Sequence, residues 1–108
     1  MSDKSKVPLF LNGTIVGSVE EPDWVLVDVP SENHDRIFER YIRFDQKFSD
    51  KPIVQLSLIG FDIDNSRNAR LSLNAAHITA EGFSLQMRTW LNTRMWSVEV
   101  AWLAIGSA

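Results

Sequence analysis

The 108-residue chain contains no cysteine, which excludes disulfides and thiolate metal sites outright. The compartment stays open, because an oxidising location permits disulfides without requiring them. Histidine is nearly as scarce: His34 and His77 are the only two. A multi-histidine metal site is therefore nearly excluded, and a solvated loop position is the expectation for each. The chain has no Gly-x-Ser-x-Gly, no phosphate-cradling glycine loop and no His-Glu-x-x-His, so no catalytic motif or cofactor site is expected. No apolar run approaches the roughly 20 residues that span a bilayer. The N-terminal apolar run, residues 7–11, is interrupted by Pro8 and is too short for a signal-peptide core. A soluble chain outside the classical secretory route is the expectation. Positive charge is not in excess either: eleven Lys and Arg stand among fourteen carboxylates, a formal net charge of −3. That balance argues against a nucleic-acid backbone as partner.

What is present is a period of two. Val54, Leu56 and Leu58 alternate with Gln55 and Ser57. Residues 70–74 alternate again, and residues 83–88 place Ser84, Gln86 and Arg88 on a polar face. Trp96, Val98, Val100 and Trp102 fall in phase on one further segment. Half-buried strands produce this pattern and helices do not. Residues 36–44 admit a helical turn, but their β-branched and aromatic content, with Ile42 and Phe44 in phase, favours a strand. Turn chemistry separates the runs: polar residues 45–52 ending in Pro52, the Asx-rich residues 62–66, a tight connection at 80–82 and a short hairpin loop at 91–94. Asn12-Gly13 is either a type I′ hairpin signal or a glycine within one long edge strand. The spacing of about 8–12 residues predicts an all-β sandwich or barrel of antiparallel strands. One domain over residues 7–108 is expected, behind a disordered tail at residues 1–6.

Few constellations carry chemistry. Asp62-Ile-Asp-Asn-Ser66 has the look of a calcium loop, but Arg67 and Leu73 stand where an EF-hand needs Gly and Glu. A turn rich in side-chain-to-backbone bonds explains it better. No carboxylate pair is singled out for hydrolysis of a glycoside. The aromatic signal is stronger, because three of the four tryptophans are Trp90, Trp96 and Trp102. Trp102, among valines, reads as core. Trp90 shares the polar parity of Ser84, Gln86 and Arg88 and abuts a loop, so it is either an edge cover or a ligand platform. Trp96 opens the next strand across that loop, where the two indoles can lie near one another. Arg70 can bring its fork of donors to such a site. A flat aromatic face with fixed donors suits a sugar ring and a peptide equally.

The residues also carry a family resemblance. The string Phe44…Phe48…Pro52-Ile-Val…Leu56-Ser-Leu58…Asp62, then Asn68-Ala-Arg70, Ile78…Glu81-Gly-Phe83, Thr89-Trp90…Asn92-Thr93 and Val98-Glu-Val-Ala-Trp102-Leu-Ala-Ile-Gly106 resembles the H-type lectin domain. That family includes the snail agglutinins and the C-terminal domain of the discoidins. The likeness covers residues 36–106 and extends more loosely to Asn12-Gly13 and Trp24. It implies a six-stranded antiparallel β-sandwich that assembles as a parallel homotrimer. It also implies galactose- or N-acetylgalactosamine-type glycans bound without metal at the seams between protomers. On the family pattern Arg70 matches the binding arginine and Trp90 the binding tryptophan. Leu91 stands in place of a histidine and Trp96 in place of a tyrosine. The loop acid falls on Asn33, or on Asp35 with a shift of two. Asn33 keeps an acceptor oxygen but not the charge.

Two functions follow as expectations. The first is a non-enzymatic carbohydrate-binding module with Asn33, Arg70, Trp90, Leu91 and Trp96 at its site. The second is a structural trimerisation or adhesion domain of a larger assembly that keeps the fold with an altered pocket.

Overall fold

A computed structural model describes residues 7–28 and 35–108. The expected tail at residues 1–6 lies outside the described residues, as do Asn33 and His34. Six strands follow in order: β1 (Pro8–Ser18), β2 (Arg36–Arg43), β3 (Ile53–Ile63), β4 (Ser72–Ala76), β5 (Gly82–Thr89) and β6 (Met95–Ser107). They form two three-stranded antiparallel sheets, β1-β6-β3 and β2-β5-β4. The expected six-stranded sandwich is what the chain builds.

Alternation places the core between the sheets. On β5, Phe83, Leu85 and Met87 point inward and are buried, while Ser84, Gln86 and Arg88 point out. From β6 come Val98, Val100, Trp102 and Ala104, all buried. Trp24 and Leu26, from the β1–β2 connection, and Phe44 and Phe48, after β2, close the ends of this core. Trp24 meets Phe38 edge-on at 4.9 Å between ring centroids, and its indole N–H donates to the Met95 carbonyl at 2.8 Å. Such ring pairs add about 0.5–1.5 kcal/mol beyond the area they bury.

Asn12-Gly13 is not a turn. β1 runs unbroken from Pro8 to Ser18, with Gly13 opposite Trp102. The reason lies far away in sequence. The Trp102 ring lies against Gly13, so closely that a Cβ there would stand 2.7 Å from the indole Nε1. Glycine serves close approach here rather than chain reversal.

Two other expectations are corrected. Residues 91–94 do not close a hairpin, because β5 and β6 belong to different sheets. Each is the middle strand of its own sheet, with both edges occupied, so neither can accept the other; the turn arches between layers. Trp96, in turn, does not lie in phase with Val98, Val100 and Trp102. Asp62 pairs with Ser97 and Ile63 with Met95, which leaves Trp96 as the extra residue of a β-bulge. A bulge shifts the parity of what precedes it, so Met95 is buried and Trp96 is turned outward, 37% exposed.

Candidate functional site

The turn between β5 and β6 is the hub of one end of the sandwich. Thr93 Nα–H reaches back to the Trp90 carbonyl at 3.4 Å, and Leu91 adopts φ 56°. A non-glycine residue in this left-handed region costs about 1–3 kcal/mol and persists only where its surroundings hold it there. What holds it is Arg36. This guanidinium is only 5% exposed and donates to the carbonyls of Leu91 at 2.8 Å and Thr93 at 2.9 Å. It also donates to the Asp28 carbonyl and, more weakly, to that of Leu26 at 3.4 Å. Burial pushes its pKa down from the usual arginine value, while Asp28 and Asp35 oppose that. Arg36 opens β2 and reads in the sequence as an ordinary strand-end charge. Nothing local marks it as the post that ties this turn to Leu26 and Asp28 of the β1–β2 connection.

Arg70 is fixed to the same turn from the other side. Its Nη1 donates to Asn92 Oδ1 at 3.0 Å and to Thr93 Oγ1 at 3.1 Å. Its backbone carbonyl accepts from the Thr89 hydroxyl, and Thr93 Oγ1 donates to the Asn68 carbonyl at 2.6 Å. Arg70 and Trp90 are thus bracketed by one network, since Thr89 directly precedes Trp90. The buried threonines Thr89 and Thr93 act as ties, a role that the sequence pattern alone does not mark.

The two tryptophans are brought to this end but not into ring contact with each other among the described residues. Trp90, half-buried, carries the Arg88 guanidinium 4.6 Å from its ring centroid. Trp96 carries that of Arg94 at 5.4 Å, and Arg94 Nε donates to the Val27 carbonyl at 2.9 Å. Leu91 presents its side chain to solvent. Asp35, the alternative loop acid, is held by Arg88 at 2.6 Å. Asn33 lies outside the described residues.

Behind Trp96, the residue 62–66 loop is the side-chain-bonded turn expected. Asp64 accepts from Ser66 Nα–H at 2.9 Å and its hydroxyl at 2.7 Å, which holds its carboxyl below the usual aspartate range, helped by the charges of Arg67 and Arg94. No group of three or more potential metal ligands occurs among the described residues. Two concavities lie at the opposite end, one lined by Arg43, Asp45 and Trp102 and the other by Arg43, Phe44, Lys47 and Glu81. No helix among the described residues is long and apolar enough to cross a membrane.

Comparison with known proteins decides the family. The model of the H-type lectin domain matches residues 39–105. The chain belongs to the H-type lectin domain family. Membership in this family of lectin domains supports a carbohydrate-binding module. A relative in Fuscovulum blasticum, named ATP synthase subunits region ORF 7, is 36% identical over 75 residues, 69% of this chain and 65% of that protein. Its name states no binding activity. Two structures of discoidin II from Dictyostelium discoideum are similar in fold. The recombinant protein has a TM-score of 0.76 at 21% identity, over 94% of this chain and 38% of that one. The wild-type protein gives 0.77 at 22% identity, over 99% and 40%. This H-type lectin domain therefore spans about two thirds of the curated relative and two fifths of each discoidin chain.

Proposed function

We propose that the chain is a non-enzymatic lectin module for galactose- or N-acetylgalactosamine-type glycans that works as a homotrimer, with Asn33, Arg70, Trp90, Leu91 and Trp96 at its sugar site. The observation that carries the reading is the Arg70 bracket: a guanidinium anchored to Asn92 and Thr93, in the same turn that follows the half-buried Trp90 at the end of β5. A sugar ring offers a C–H face to the indole and hydroxyls to the fork.

Support for assembly comes from the outer face of β1-β6-β3. Phe10, Ile105 and Ile53 stand in one row across its three strands, with Phe10 63% and Ile53 66% exposed. A contiguous apolar row of this kind on a small domain marks an interface. Second and third copies of the same chain are the occupants, because cyclic closure satisfies the face on every protomer. One shallow sugar site binds weakly, and three facing one way raise the effective concentration for a branched glycan.

The alternative, a trimerisation or adhesion domain with an altered pocket, draws on the Arg88 guanidinium lying over Trp90. Calorimetric titration with galactosides separates the two. Arg70→Ala and Trp90→Ala are each expected to weaken binding by about tenfold or more, the cost of a lost charged donor or stacking face. A well-folded trimer with no affinity across a glycan panel would establish the alternative instead.

A further inference from the structure

Among the described residues, the cations at the Trp90 end outnumber the carboxylates that meet them. Five of the seven arginines lie here, Arg36, Arg67, Arg70, Arg88 and Arg94, with Arg40 and Arg43 elsewhere. Arg36 is spent inside the fold and Arg88 is paired with Asp35. The other three have no carboxylate within ion-pair distance among the described residues. Arg70 is held by two neutral acceptors at Nη1, and its Nη2 and Nε have no partner among the described residues. Arg94 uses only Nε, leaving both terminal nitrogens. One carboxylate, Asp64, is the shared counter-charge for Arg67 and Arg94.

Fixing an arginine by neutral acceptors keeps its charge available. Had an aspartate stood in place of Asn92, Arg70 would be a closed ion pair suited to neutral hydroxyls. Guanidinium forks match carboxylate and sulfate oxygens in geometry, and such charged pairs are about twice as strong as neutral ones. The indoles supply the surface for the ring that carries the anion.

Resting on the lectin reading above, we propose that the site selects acidic sugars: a galactose-type ring bearing a carboxylate or a sulfate ester, its oxyanion held by the free donors of Arg70, with Arg94 adding to the field. This makes Arg70 the specificity residue rather than one more hydroxyl donor.

The test compares three methyl glycosides of one ring by calorimetric titration: the galactoside, the galacturonide and the sulfated galactoside. At least one acidic sugar is expected to bind about tenfold more tightly than the neutral one at low salt, with the advantage shrinking as salt rises. Comparing the two acidic sugars tells carboxylate from sulfate. Arg70→Gln, which keeps hydrogen-bond donors without charge, is expected to erase the advantage, and Arg70→Lys to restore part of it. Thermal melting checks that both variants fold. Neutral galactoside binding as tightly as both acids overturns the inference and leaves the lectin reading standing. Loss of binding to all three, and to a wider glycan panel, overturns that reading as well.

Discussion

The two sheets bury their inner faces alike and finish their outer faces in opposite ways. Across β2-β5-β4 the outward rows read Ile37–Arg88–Ser72, Glu39–Gln86–Asn74 and Tyr41–Ser84–Ala76. The middle row is a chain of hydrogen bonds, Gln86 Nε2 to Glu39 at 3.1 Å and Asn74 Nδ2 to Gln86 at 3.2 Å. Across β1-β6-β3 the rows read Phe10–Ile105–Ile53, Asn12–Leu103–Gln55 and Thr14–Ala101–Ser57. The first face is mostly polar, with Ile37 and Tyr41 its exposed hydrophobic residues. The second exposes the continuous row Phe10–Ile105–Ile53 together with Leu103, and each such hydrophobic side chain removed from water contributes about 1.5–3 kcal/mol. Between Val100 and Ile105, β6 is accordingly apolar on both sides, a pattern of strands buried on both faces.

The largest effect expected is the loss of that assembly. Leu103→Glu places a carboxylate on the central strand beside the Phe10–Ile105–Ile53 row, once per protomer. Desolvating an unpaired charge costs far more than about 2 kcal/mol, so association is expected to weaken by more than about a hundredfold. Sedimentation should then show the monomer mass, while a melting transition persists. Asn74→Glu, on the hydrogen-bonded face, should leave the assembled mass unchanged. If Leu103→Glu leaves the mass unchanged too, the two faces do not differ in the way argued.

The contrast between faces was only partly legible in the sequence. Alternation over residues 83–88 gave β5 its inner and outer sides, and Trp102 was recognisable as core from its neighbours. Trp90 stood out for its parity. The remaining features depend on pairings that lie far apart along the chain. Trp96 turns outward because β3 skips it, and the register of β3 is written in residues 53–63. Gly13 sits where Trp102 needs space, and residues 91–94 form an arch because β2 and β4 already flank β5. Arg36 becomes a buried post only once Leu91 and Thr93 fold over it. Local pattern reveals which face a residue takes within a strand; it does not reveal which strand lies beside it.

A second test contrasts the inner and outer sides of the apolar sheet. A Cβ on Gly17 would lie 2.5 Å from Trp24 and 2.9 Å from Phe38 inside the core, whereas on Gly60 it would meet only the Glu99 carboxylate at 3.2 Å. Gly17→Ala is therefore expected to lose about 1–3 kcal/mol of unfolding free energy to overpacking. Gly60→Ala displaces only a flexible side chain and should stay within about 0.5 kcal/mol. Urea denaturation of the pair measures the difference. Equal losses would mean that the inner face has slack that the contacts do not show.

The smallest effect concerns the edge where the two sheets meet. There Arg40 of β2 lies over Phe38, 4.2 Å from the ring centroid, and bonds Glu21 at 2.8 Å and Asp23 at 2.7 Å from the β1–β2 connection. The bond to Arg40 holds the Asp23 carboxyl below its usual range. A carboxylate whose folded pKa is depressed binds its proton more readily when unfolded. Its contribution is thus fully present above the ordinary aspartate pKa and drains away as pH falls through the lower folded value. Exposure and salt keep that contribution small. Wild-type protein should lose slightly more stability than Asp23→Asn on going from neutral pH to about pH 3, read as urea midpoints at both. Parallel losses in the two proteins would mean that the edge is held by the Arg40 stack on Phe38 and by Glu21, with Asp23 adding nothing.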